Sequence, residues 1–436
     1  YNRKLVMIRY LLGCIAMITT FSLKATATTN TSQPDSLAHY IIVAAKNNPE
    51  VASGYHKYQA MVMNAEASGV LPNPELSLSV YPKPMPQENG RQVLTVGVMQ
   101  MFPWFGTLKA TRTMKEKQAN AAFQQWREAG IALSYTVQQQ WYTLLAKEEQ
   151  LKYIVQNRQL LNNIKQAMLY QYKSSLATKG SKMSDQLRIE AEDAVYQEKI
   201  ASIQDEIKAL KQQFNLLLHR PENSFIALPD TLLARETPFM QWQEVQKNHP
   251  ALEQLEAQNE AFVAQKELAQ HKGMPSFALG VEYMVNQKNP HPLSGAMPDM
   301  NGMDMFMPMM KVSLPIYRQR VNAERKAAEL QIQATQEAYL RKKDALQTEF
   351  VALQQQMSDA KRKIELYNHQ ITLLNNTLNL LQTEYINGSS SLTDILQTLR
   401  EQIDNERKRS DSVAALCLLV AQYEKMISKY DYSSQQ

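Results

Sequence analysis

Cysteine is nearly absent from this 436-residue chain, which has only Cys14 and Cys417. Cys14 falls in a segment that reads as an export signal, so the mature chain has no second cysteine with which to form an intrachain disulfide. Cys417, set among Leu416, Leu418 and Leu419, reads as a small core residue. Glycine and proline are also scarce, at 13 and 18, which excludes a sandwich or propeller built on many Gly-rich turns. Long apolar runs are missing beyond the N-terminus, where the leading candidate, Ala414 to Ala421, covers 8 residues. With a mean hydropathy of −0.42, a polytopic helical membrane protein is excluded, and any membrane role has to use strands. Catalytic signatures are missing as well. The seven histidines form no HxxxH or HExxH spacing, and there is no phosphate loop, CxxC pair or serine elbow. No enzyme and no cofactor are expected.

Acidic residues are absent from residues 1–27, which hold Arg3, Lys4, Arg9 and Lys24. Without those four, the net charge of +5 falls by four, leaving no electrostatic reason to expect nucleic-acid binding. Reading from Met7, a basic Arg9, the apolar stretch Tyr10 to Phe21 and the small residues of Ala25-Thr26-Ala27 form a secretory signal cut after Ala27. The rival reading is Leu11-Leu12-Gly13-Cys14 as a lipoprotein box.

The rest of the chain repeats itself. Lys46-Asn47-Asn48-Pro49 recurs as Lys247-Asn248-His249-Pro250, an offset of 201. Met101-Phe102-Pro103 matches Ser313-Leu314-Pro315 at 212, and Ser184-Asp185 matches Thr393-Asp394 at 209. The expected organisation is a signal over 1–27 and two repeats over 28–225 and 226–436, the second gaining 11 residues between Val281 and Pro315. Each repeat opens with a helix, predicted over Pro34–Gly69 and Met240–Lys272. Two strands and a proline follow, then very long proline-free helices over Thr107–Ala177 and Ser184–Leu218, and over Gln319–Ile386 and Leu392–Tyr430. At 1.5 Å per residue the longest span roughly 100 Å, a coiled-coil rather than a globular length.

The four strands alternate strictly. Leu76, Leu78 and Val80; Leu94, Val96 and Val98; Phe277, Leu279, Val281 and Tyr283; and Phe306, Pro308, Met310, Val312 and Leu314 each line one face. Polar or small residues occupy most of the other face, the membrane-barrel pattern. A soluble sheet with one buried face gives the same alternation in a single hairpin. Four matching strands leading into roughly 100 Å helices favour the barrel. Four strands cannot close a barrel, and open edges are forbidden in lipid, so several copies must pool them.

These features together resemble the TolC family of outer membrane factors. The resemblance rests on the duplication, on Ala44-Ala45-Lys46-Asn47-Asn48-Pro49-Glu50, on Leu71-Pro72-Asn73-Pro74 and on two helix–turn–helix tips, 178–185 and 385–394. It implies a mainly α fold with a small membrane β-barrel part, and a homotrimer giving four strands per protomer to a 12-stranded barrel in outer-membrane lipid. It further implies a periplasmic helical tunnel docked on a periplasmic adaptor, with an inner-membrane pump, of the resistance-nodulation-division type, supplying the energy. The function implied is a passive exit duct. A drug-efflux or type I secretion duct, or a soluble periplasmic coiled-coil adaptor, are the alternatives.

Two groups of residues are singled out. At the tips, Gly180 and Gly388 suit chain reversal, while Ser184 or Asp185 and Thr393 or Asp394 suit helix capping. The resemblance implies instead that Asp394 narrows the tunnel entrance, with Asp185 and Tyr385 as linking partners and Gln397 where an acidic residue often stands. In the insertion, Met297, Met300, Met303, Met305, Met307, Met309 and Met310 fall within 14 residues. Thioethers are soft ligands that select Cu(I) and Ag(I), and methionine is also a filler of apolar gaps. Trp104 and Phe105, beside Pro103, suit an interfacial aromatic anchor.

Overall fold

The computed structural model describes residues 37–87, 90–173, 183–290, 301–386 and 389–430. The export segment, Gly180, Gly388, Met297 and Met300 lie outside them. The elements run α1 (Leu37–Asn47), α2 (Pro49–Ser68), β1 (Glu75–Gln87), β2 (Gly90–Phe102), α3 (Thr107–Lys173) and α4 (Met183–Leu217). The second half repeats the order as α5 (Trp242–Lys247), α6 (Pro250–Lys272), β3 (Ser276–Gln287), β4 (Met305–Ser313), α7 (Arg318–Ile386) and α8 (Leu392–Met426).

The opening helix of each repeat is broken in two, a correction to the single helices expected over Pro34–Gly69 and Met240–Lys272. Pro49 and Pro250 have no N–H to donate, and each presses its predecessor out of the helical region. Asn48 accordingly sits at φ −74, ψ 120 and His249 at φ −83, ψ 118. Both then act as N-caps: Asn48 Oδ1 accepts from the Glu50 and Val51 amides, and His249 Nδ1 from the Ala251 amide.

The strands form one antiparallel sheet in the order β1-β2-β3-β4. Prolines are confined to its edges, with Pro82, Pro84 and Pro86 in β1 and Pro308 in β4, because an inner strand needs every amide for its ladders. β1 slips register between Val80 and Met85, across Pro82 and Pro84. All four strands connect to helices at one end of the sheet. There α2, α3, α6 and α7 lie side by side in the order of the strands they continue, and at the far end α4, α3, α8 and α7 do so. Only α3 and α7, 67 and 69 residues long, run through both layers.

The core lies among the helices. Tyr40, Trp141 and Phe214 pack with ring centroids 5.2–5.8 Å apart, and Cys417 is fully buried in the same cluster. In the second half, Trp242, Phe350 and Tyr423 form the corresponding set. Trp141 and Phe350, like Phe214 and Tyr423, are 209 residues apart, the offset found at the tips. The segment between the halves, 218–241, is tied down at both ends: Ala227 N donates to the Tyr40 hydroxyl and Met240 N to the Tyr423 hydroxyl. Between them Arg235 pairs with the buried Glu424 at 2.7 Å and donates to the Tyr142 hydroxyl.

Candidate functional site

The two faces of the sheet differ in kind. On one, Leu76, Leu78, Val80, Val98, Leu279, Val281, Tyr283, Phe306, Met310, Val312 and Leu314 are 40–73% exposed. The register makes them one surface, with Leu76 opposite Val98, Val98 opposite Val281 and Val281 opposite Pro308. So large an apolar area on a protomer marks an interface with lipid or with another chain.

The other face is arranged in cross-strand rows. Ser79, Thr95, Met284 and Met305 form one, Ser77, Gly97, Glu282 and Met307 the next, and Glu75, Met99, Gly280 and Met309 a third. Here Met305, Met307 and Met309 are half-buried while their apolar-face neighbours Phe306, Pro308 and Met310 are exposed. Met284 and Met305 stand directly opposite each other in the register, as cross-strand neighbours whose side chains share one face. Gly280 separates Met99 from Met309, and a Cβ there would meet the Val98 carbonyl oxygen at 2.7 Å. The row therefore has a notch between two thioethers. Met99 and Met284 lie outside the insertion, so linear spacing missed them, and only the pairing register joins them to it.

At the outer end of the second hairpin, Asp304 accepts from the Tyr283 hydroxyl at 2.6 Å and from Asn286 N at 3.0 Å. Asn286 Nδ2 donates to the Met303 carbonyl, which fixes the backbone of Met303 and leaves its side chain 56% exposed. Asp304 is thus occupied in holding the loop. Among the described residues, no group of three or more His, Cys, Asp or Glu could hold a metal ion. The soft donors are the methionines.

The helix tips lie at the far end of the shaft. Ser391 and Asp394 form a capping box: Ser391 Oγ accepts from Thr393 N at 3.1 Å and Asp394 Oδ2 from Ser391 N at 3.4 Å. Asp394 is still exposed, and along the same exposed side of α8 stand Gln397 and Glu401, joined at 3.0 Å. Glu401 was not singled out from the sequence, although the helix predicted from Leu392 already puts it one turn beyond Gln397 on the side of Asp394. Gly180 and Gly388, predicted to turn the tips, fall outside the described residues. Tyr385 packs on the cluster of Ile164, Ile395 and Leu399, lining a cavity of about 220 Å³ with Leu160, Asn163, Ala167 and Gln382. Its hydroxyl is buried without a hydrogen-bond partner among the described residues. Burial, and after it the Asp185 carboxylate, push its ionisation upward, and no hydrogen bond joins Tyr385 to Asp185 among the described residues. Arg188 donates to Thr393 Oγ1, and Arg400 grips the buried Glu192 at 2.5 Å, both joining α4 to α8.

Residues 242–414 match the family model described as outer membrane efflux protein. No curated protein matches the chain. Among solved structures, the outer membrane protein VceC from Vibrio cholerae superposes with a TM-score of 0.71 at 15% identity, over 90% of this chain and 96% of that one. CusC gives 0.72 at 19% identity, over 90% and 92%. The CmeC outer membrane channel of Campylobacter jejuni gives 0.70 at 10% identity, over 91% and 86%. At these identities the likeness establishes the fold.

Proposed function

We propose that this chain, which carries an outer membrane efflux protein domain over residues 242–414, is the outer-membrane exit duct of a tripartite efflux system with Cu(I) or Ag(I) as cargo. Three copies pool their strands into one barrel, and the helices continue it as a tunnel through the periplasm to an adaptor and an inner-membrane pump of the resistance-nodulation-division type. The duct is passive and is no enzyme. Its two halves, 28–225 and 226–436, supply one hairpin each. The observation that carries this reading is the two-faced sheet: exposed apolar residues on one side, methionine rows on the other, and both edges unpaired among the described residues of the protomer. In lipid those edges have to be closed by further copies, and the apolar face then turns outward. The methionine face turns inward, with Met303 at its end; Met297 and Met300, of the same insertion, lie outside the described residues.

Half-buried thioethers lining the inward face of the barrel would give weak, exchangeable sites for a soft monovalent cation, as conduction requires. At the other end, Asp394 would serve as a ring of three carboxylates as well as a cap, with Gln397 and Glu401 behind it and Asp185 and Tyr385 holding the tips. Planar-bilayer recording of the purified protein tests both ends. Replacing Met305, Met307 and Met309 with leucine should abolish retardation of current by Ag(I), and Asp394→Ala should raise conductance and weaken block by multivalent cations. Unchanged Ag(I) retardation in the methionine variant would leave a duct of unspecified cargo; absence of any channel would overturn the reading as a whole.

A further inference from the structure

Both exits from the sheet toward the long helices are built alike, though their side chains differ. Phe102-Pro103-Trp104-Phe105-Gly106 leads from β2 into α3, and Leu314-Pro315-Ile316-Tyr317 leads from β4 into α7. At the first, Trp104 stacks on Phe277 with centroids 5.9 Å apart, and Phe277 belongs to the apolar face. Phe105 packs edge-on against Trp104 and is 83% exposed. Gly106 lets the chain turn there at φ +85, against the ring of His271. At the second exit, Tyr317 is 87% exposed. Aromatic rings thus extend the apolar face at the end nearest the helices, the depth at which such rings sit among headgroups.

Directly beyond the rings the charge becomes one-sided. Residues 107–117 hold four basic residues and one acidic, and so do 318–328, in a chain whose totals are 47 and 42. Lys272, at the end of α6, reaches the same level. Lys109, Lys272 and Arg318 are exposed and enter no ion pair among the described residues, whereas Arg112 and Arg320 are taken up by Glu116 and Glu324. Three unmatched cations per protomer, one helical turn or less below an aromatic ring, form a surface complementary to phosphate headgroups.

We infer that the junction between sheet and helices is a lipid-reading collar, in which Trp104, Phe105 and Tyr317 sit at the headgroup level while Lys109, Lys272 and Arg318 select anionic phospholipid in the adjoining leaflet. The inference rests on the barrel reading, since it requires the apolar face to meet lipid. A juxtamembrane basic residue strengthens anionic-lipid association by about fivefold when close to the surface. The collar is salt-sensitive, because its charges are exposed.

The test is electron spin resonance of the purified full-length protein reconstituted in phosphatidylcholine, with trace spin-labelled phosphatidylglycerol or phosphatidylcholine. Wild type should hold a motionally restricted shell in which phosphatidylglycerol is preferred several-fold, with the preference falling as salt is added. In K109Q/K272Q/R318Q the shell should keep its size and the preference should disappear. R341Q, about 35 Å farther along α7, should keep it. A shell without phosphatidylglycerol preference in wild type, or a preference unchanged in the triple variant, overturns the collar. So does a preference abolished by inorganic phosphate at matched ionic strength, which would indicate an ion site. Absence of any restricted shell would instead overturn the barrel reading on which the inference rests.

Discussion

The two halves of the chain perform the same structural tasks with different side chains. At the helix break, Asn48 in the first half and His249 in the second adopt nearly the same backbone angles and accept the same kind of amide hydrogen bond. In the core, Tyr40, Trp141 and Phe214 answer to Trp242, Phe350 and Tyr423, and each set lends one hydroxyl to the connecting segment. The two sets are not equally enclosed. Tyr40 and Phe214 are wholly buried in a cluster that also takes in Ile41, Leu144 and Leu218, while Trp242 is only half-buried. The lesson is that duplication preserved what the backbone needs, a proline and a cap before it, and left the chemistry of the cap free to change.

Three changes sharpen or break that comparison. The largest effect is expected in the core: Trp141→Ala should cost about 3–5 kcal/mol of stability in detergent, and Phe350→Ala less, because the looser second set can relax into the space. Equal losses at the two positions would mean that the sets are equally enclosed. Next comes the cap. Burial, reinforced by Lys342 and Lys425 nearby, pushes His249 down to about 4. Its folded pKa is therefore depressed below the unfolded value near 6.5, and the neutral ring is the form that accepts from Ala251. Stability from this group is fully present above about pH 6.5 and is lost as pH falls through 4, a change of about 3 kcal/mol. His249→Asn installs the first half's cap and should flatten that part of the pH–stability curve; a curve of unchanged slope would remove His249 from the account. The smallest effect concerns the hydroxyls. Tyr40→Phe should cost about 1 kcal/mol by leaving Ala227 N without its acceptor. Tyr423→Phe should cost less, since Met240 is exposed and water can replace the bond.

Much of this plan was legible in the chain. The four strands lie where period-two alternation put them, because one apolar face per strand leaves little choice of register. Among the described residues α4, α7 and α8 also end within a few residues of their predicted limits, while the end predicted for α3 at Ala177 lies outside them. The breaks at Pro49 and Pro250 were readable in principle from proline alone, which has no N–H to continue a helix, yet one helix was expected across each. Pairings between distant strands were not readable. Met99 beside Gly280, and Met284 opposite Met305, are made by register across segments about 180 and 21 residues apart, which a linear pattern does not encode. Asp394 illustrates the remaining ambiguity, since the spacing that makes a capping box also places the carboxylate on the open side of the tip.

The unpaired sheet edges have a consequence for the order of events in the life of the chain. The helices hold aromatic clusters of their own and can consolidate through contacts within one protomer. The sheet has no such interior, and its large apolar side chains gain nothing from water. A lone protomer with a finished shaft is therefore a half-made object, carrying a greasy ribbon with two adhesive margins. In an aqueous compartment such a ribbon is prone to mispair with whatever strand it meets first. If three copies pool their strands as proposed, maturation becomes a race between meeting two siblings at a lipid surface and being trapped on the way, and the abundance of newly made copies bears on the yield as directly as the stability of any one of them.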